Sequence, residues 1–175
     1  MMIVSKGDFD GIDVYRIIMP QKKANLFLRA LSWFWFHLWS TAVAMCLVDR
    51  PNVLLVPSPP LTMGVSAYLI AKRYSAPFIY NVQELYPDIA INLGIIRNRL
   101  FIKFLLHVEA FIYANARAVT VISQGMKTRL VRKGVVASKV TYIPNFVDLA
   151  YFSPADPSTS AHSILKDLDN KFIVS

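Results

Sequence analysis

Two short apolar runs, separated by a proline-rich turn and enough residues for one helix, constrain this chain more than any other feature. Asn52-Val53-Leu54-Leu55-Val56 is a continuous apolar run bounded by turn residues, the pattern of a strand covered on both faces. It enters Pro57-Ser58-Pro59-Pro60, where three prolines in four residues exclude a helix. From Leu61 to Tyr74 the residues Leu61, Val65, Tyr68, Leu69 and Ala71 recur at helical spacing, and Phe78 to Asn81 reads as a second strand. Strand, tight turn, helix and strand form a βαβ unit, whose strands run parallel. In an open sheet of this kind, ligands bind at the carboxyl ends of the strands.

The polar stretch Asn81-Val82-Gln83-Glu84-Leu85-Tyr86-Pro87-Asp88 stands at such an end. It gathers two carboxylates, carboxamide groups and an aromatic ring, although the same residues also read as a polar turn with a proline stop. A reaction at a hydroxyl needs a group that accepts or orients a proton, and Glu84 is the best placed for it. Gln83 lies beside it and faces the other way if the backbone is extended. Asp88, after Pro87, suits the start of a short helix as well as a ligand contact. The chain's other glutamate, Glu109, falls within a long helix, where a surface or capping charge is the favoured reading.

Around this unit the pattern continues. Val14 to Ile18 reads as a strand after a turn at Gly11, preceded by surface loop. Ala24 to Val48 is a long aromatic-rich helix, stopped by Arg50-Pro51. A membrane span must be weighed there, but Arg29 and His37 interrupt it and its aromatics are bunched at the middle, which favours a buried or interfacial helix. Arg97 to Ala116 forms another helix, with Phe101, Phe104, Leu105, Val108, Phe111 and Ile112 as its main apolar stripe. Ala118 to Ile122 is the next strand, Ser123 is placed to cap a helix from Gln124 to Lys133, and Val140 to Ile143 is a last strand. Beyond Asp148 the composition turns to linker material, followed by a helical attempt at Ile164 to Leu168 and a strand-like end at Lys171 to Ser175.

Composition narrows the function classes. The 175 residues suit one domain, or a domain and the beginning of another. With 55% hydrophobic and only 17% charged residues, the chain has surface to commit to a membrane or a partner. Between Arg97 and Lys139 nine Lys or Arg face a single acid, Glu109, a surplus equal to the whole chain's +8. Such a segment suits anionic lipid or phosphate-bearing ligands. No zinc-finger spacing, basic zipper or RNA-binding signature accompanies it, so nucleic acid is not expected. Single Cys46 excludes an internal disulfide and reads as a packed thiol. His37, His107 and His162 lack metal spacing. There is no Gly-x-Ser-x-Gly elbow, Walker loop or Gly-x-Gly-x-x-Gly turn. Met1 to Asp13 is too polar for a secretory signal, which points to the cytoplasm.

Four ordered motifs carry a resemblance: Val53-Leu54-Leu55-Val56-Pro57-Ser58-Pro59-Pro60-Leu61-Thr62, Tyr80 to Asp88, Val121-Ile122-Ser123-Gln124-Gly125-Met126, and Ile143-Pro144-Asn145-Phe146-Val147-Asp148. Together, over roughly Gly11 to Phe152, the chain resembles the N-terminal domain of family 4 glycosyltransferases, within the subgroup that makes bacterial colanic acid and O-antigen, including fucosamine-type enzymes. The resemblance implies an α/β fold: a Rossmann-like, mostly parallel sheet with helices on both faces, as in the acceptor half of a two-domain GT-B enzyme. It implies sugar transfer from a nucleotide-sugar donor, with retention and without an essential metal or other cofactor, to a lipid-linked sugar at the inner membrane. The aromatic helix and basic segment would then meet the anionic membrane surface.

Carried over by position, Gln83 and Glu84 fall where relatives have His-Asp. Glu84 orients the acceptor hydroxyl, Ser58, Asn81, Asp88 and Ser123 line the acceptor side, and Asn145 with Asp148 marks the hinge beside the donor. Phe146 departs from the usual Gly. The family's opening strand and Gly-rich loop have no counterpart before Val14, and the donor-domain Glu-x7-Glu cannot exist with glutamate only at 84 and 109. The resemblance thus implies an acceptor domain over residues 1–152, truncated at its start, then a linker and first strand of a missing domain over 153–175. Two alternatives stand beside this reading: a non-catalytic partner module of a split transferase, which needs a separate donor-binding chain, and a small protein anchored in the membrane by Ala24 to Val48. Without the missing strands, the strand beginning at Asn52 exposes an edge; Val14 to Ile18, or another chain, is expected to pair there.

Overall fold

The computed structural model of the chain describes residues 4–19, 26–46 and 49–149. Residues 1–144 form one compact unit and 145–175 a second, of which 145–149 are described. The sequence features expected from residue 150 onward, including His162 and the strand-like end, lie outside the described residues.

The chain opens with an antiparallel hairpin of β1 (Val4–Phe9) and β2 (Ile12–Ile17). Asp10 and Gly11 join them with φ of 51° and 81°, the double left-handed turn whose twist matches two paired strands and which Asp-Gly adopts most readily. The Gly11 N–H also donates to Asp8 Oδ1 at 3.2 Å. The residues before Gly11 are therefore a strand and not the expected loop. No apolar alternation marks Val4–Phe9, so only the turn announces it. The expectation that Val14 to Ile18 pairs beside Asn52 is also corrected: the hairpin is a two-stranded sheet of its own, separate from the sheet that holds residues 54–58.

Helix α1 (Leu26–Cys46) follows, and a set of polar bonds ties it down. Trp35 Nε1 donates to the Ile18 carbonyl at 3.4 Å, Thr41 Oγ1 lies 2.8 Å from Ser66 Oγ, and Tyr74 Oη donates to the Met45 carbonyl at 2.9 Å. Leu31, Phe34 and Leu38, spaced for one face of the helix, remain exposed. Among the described residues no helix is long and apolar enough to cross a membrane. Cys46, expected to be packed, is exposed on the last turn.

The main sheet holds four parallel strands in sequence order: β3 (Leu54–Ser58), β4 (Phe78–Val82), β5 (Ala118–Val121) and β6 (Val140–Tyr142). Helices α2 (Thr62–Tyr74), α3 (Asp88–Asn92), α4 (Arg99–Asn115) and α5 (Gln124–Arg132) connect and flank them. The α/β fold with a parallel sheet is as the sequence implies. Strand periodicity puts Val56, Phe78, Tyr80, Val82, Val119, Val121 and Val140 on one side, where they pack with Ala67 of α2, Ile112 and Tyr113 of α4 and Leu130 of α5. Gly64 lets α2 approach α4: a Cβ there would lie 2.6 Å from Ile112 Cγ2.

Two apolar segments are less covered than their sequence suggests. Leu55 of β3 is 69% exposed, so this strand is not covered on both faces, and among the described residues it pairs only with β4. On α4 half of the expected stripe faces the core: Ile112 is buried and Leu105 and Val108 pack against that core, but Phe101, Phe104 and Phe111 are exposed, and Glu109 and Tyr113 are buried in their stead. The helix has more apolar residues than one face can take. The buried side is the one on which Glu109 finds a cation.

Candidate functional site

Parallel pairing brings the carboxyl ends of all four strands into one row. Ser58 is opposite Val82, Val82 opposite Val121, and Val121 opposite Tyr142. The ladder continues one step, with Gln83 N–H donating to the Ser58 carbonyl at 3.1 Å and Ile143 N–H to the Val121 carbonyl at 2.9 Å. Pro59, Gln83 and Ile122 thus begin neighbouring loops along one sheet edge, where an open α/β sheet presents its ligand crevice.

The structure brings Asn81 and Gln83 together. Asn81 Oδ1 accepts from Gln83 Nε2 at 3.0 Å and from Thr120 Oγ1 at 3.1 Å, across the β4–β5 ladder. The backbone bends at Gln83-Glu84, which turns Gln83 back over the strand and leaves Glu84 exposed, with no ion pair to its carboxylate among the described residues. Sequence reasoning did not single out Thr120; its place opposite Asn81 depends on strand register.

Other expected site residues are occupied elsewhere. Ser58 is 3% exposed and on the core side of β3. Ser123 is the N-cap of α5, its Oγ accepting from Met126 N–H at 3.2 Å. Asp88 opens α3, with its side chain 12% exposed and ion-paired to Lys133 Nζ at 2.6 Å and Arg129 Nε at 3.3 Å. Asn145 and Asp148 belong to the second unit and are described only within it. His37, set aside in the sequence, lies 2.9 Å through Nε2 from Thr62 Oγ1 at the start of α2, and burial lowers its pKa.

Joined to Asp88 is a charged cluster around Glu109, the residue for which the sequence favours a helix-surface or capping charge. Glu109 is 2% exposed and its two oxygens lie 2.8 and 2.7 Å from Lys133 Nζ. Tyr113 Oη donates to Glu109 Oε1 at 3.1 Å. With its bond to Asp88, Lys133 uses all three ammonium donors. Burial raises the Glu109 pKa against the opposing pull of Lys133, and burial with the nearby Glu109 carboxylate raises that of Tyr113. Glu109, Tyr113, Lys133 and Lys139 also line a cavity of about 410 Å³, walled by Leu106, Val135 and Val136. None of the residues expected from sequence lines it. Among the described residues no three His, Cys, Asp or Glu side chains are grouped to hold a metal ion.

The chain is thus a parallel α/β domain of the open-sheet class with polar side chains gathered at its strand ends, the edge where such sheets place their ligand crevices. Residues 5–145 match the family described as glycosyl transferase 4-like domain, and the chain belongs to that family. No curated protein matches the chain.

Proposed function

We propose that this domain supplies the acceptor side of a retaining transfer from a nucleotide sugar to a lipid-linked sugar, in bacterial surface polysaccharide synthesis of the colanic-acid or O-antigen kind. The observation that carries the reading is the exposed Glu84 carboxylate beside the Asn81–Gln83–Thr120 hydrogen-bonded group at the carboxyl end of β4. In this reading Glu84 orients the acceptor hydroxyl, and the amide groups of Asn81 and Gln83 bind neighbouring sugar hydroxyls. The chemistry is that of positioned hydrogen bonds, with no metal or other cofactor required.

The protein works at the cytoplasmic side of the inner membrane, held peripherally. Supporting this are the exposed Leu31, Phe34 and Leu38 of α1 and Phe101 and Phe104 of α4, with Arg97, Arg99 and Lys103 near the latter. Apolar contact and attraction to anionic lipid reinforce each other in such a surface.

A second reading, a binding module that needs a separate donor-binding chain, is favoured by the outer edge of β3, which pairs with no strand among the described residues. Purified protein, alone and mixed with a candidate donor-binding chain, is assayed for transfer from UDP- and GDP-sugars to a polyprenyl-diphosphate-linked N-acetylglucosamine. Turnover by the chain alone defeats the split-enzyme reading; turnover only in the mixture defeats autonomy. Absence of turnover with either preparation across the donor panel counts against transfer altogether.

A further inference from the structure

We infer that Lys133 is a positioning residue for the Gln83–Asp88 loop, acting from outside the site through Asp88. The inference rests on the reading of this loop as the acceptor wall. Its first end is fixed by the Gln83 N–H bond to the Ser58 carbonyl and the Gln83 side-chain bond to Asn81. Within the loop Tyr86 N–H donates to the Glu84 carbonyl at 3.1 Å, while the Leu85 and Pro87 carbonyls accept from Ile89 N–H and Ile91 N–H of α3 at 3.0 Å each. The far end is fixed at Asp88 by Lys133 at 2.6 Å and by the more exposed Arg129 at 3.3 Å.

Lys133 belongs to neither α4 nor the loop, yet it joins the two. Two of its donors reach the buried Glu109 and the third reaches Asp88. A buried ion pair adds little net stability over apolar packing of the same volume, while removing one partner alone is costly. The Glu109–Lys133 pair is complete without Asp88. The third bond therefore contributes the place of the loop, and with it the direction in which Glu84 points.

Asp88→Asn keeps the buried pair and removes the charge at the loop. Lys133→Met combined with Glu109→Gln removes the cation without leaving an unpaired carboxylate inside. Hydrogen exchange is followed at the Gln83 and Tyr86 amides of the loop and at the Ile89 amide of α3, which donates to the Leu85 carbonyl of the loop, with the Val119 and Val121 amides of β5 as reference. Each variant is expected to speed loop exchange about tenfold, leaving β5 unchanged, and combining all three substitutions adds nothing further. Binding of polyprenyl-diphosphate-linked N-acetylglucosamine in detergent, read by intrinsic fluorescence, weakens about tenfold in Asp88→Asn. Unchanged loop exchange, an equal rise in β5, additive effects or undiminished probe binding would each overturn the inference. Failure of the acceptor reading itself is distinguishable, because wild-type protein would then not bind the probe at all.

Discussion

The two glutamates of this chain have opposite surroundings, and each makes its own prediction. Glu84 is exposed on a bend, whereas Glu109 is buried against Lys133 and Tyr113. Because burial raises the Glu109 pKa in the fold above its ordinary value of 4.5, the folded state binds its proton more tightly than the unfolded state does. The contribution is then fully present below the unfolded pKa and declines as pH rises through the folded one. Unfolding by urea from pH 7 down to pH 4 should show wild type gaining stability relative to Glu109→Gln as the pH falls. A difference that is flat, or of the opposite slope, would show that the Lys133 pairing outweighs burial. The sequence could not reveal this residue's setting. Position within a helix says nothing of which face is buried, and Lys133 lies far along the chain from its partner.

At the scale of elements, contacts invisible in local pattern decide two outcomes. Replacing a helical glycine by alanine ordinarily stabilises by about 1 kcal/mol. At Gly64, however, the new methyl would meet Ile112, which is fully buried, and overpacking costs about 1–3 kcal/mol. Gly64→Ala should therefore lower the urea midpoint, and a raised midpoint would show that α2 and α4 separate easily. Ser123→Ala should cost about 1 kcal/mol through loss of the α5 cap, with acceptor-probe binding unchanged once stability is allowed for; a selective loss of binding would return Ser123 to the site. The βαβ unit, α5 with its cap and all four strands of the parallel sheet were legible, because apolar runs bounded by turn residues mark them locally. Strand β1 was not, since its residues are mostly polar and its pairing with β2 is signalled only by Asp10-Gly11. The buried side of α4 was legible only in part, right at Leu105, Val108 and Ile112 and wrong at the three phenylalanines, because a helix apolar around much of its circumference does not specify one face.

For the whole molecule, family membership and the strand-end row point to a sugar-transfer domain, while the exposed aromatic and basic groups bear on where it works. Flotation with vesicles containing anionic lipid should carry the protein upward at low salt and release part of it at 1 M salt, where the screening length falls to about 3 Å. Phe104→Ser with Phe101→Ser should weaken flotation at both salt concentrations; retention of full binding would remove α4 from the membrane surface. That the motifs fall at the carboxyl ends of parallel strands was readable from sequence, but the strand order β3-β4-β5-β6 that sets them side by side came from the structure. The Asn81–Thr120 contact needed the register itself. The role of Glu84 in orienting the acceptor hydroxyl is measured with Glu84→Gln in whichever preparation turns over, the chain alone or with a donor-binding chain. The fall in kcat for transfer to the polyprenyl-linked acceptor is expected to be about 10²- to 10⁴-fold, with the thermal midpoint unchanged because the side chain is exposed. Undiminished transfer by Glu84→Gln would contradict that role.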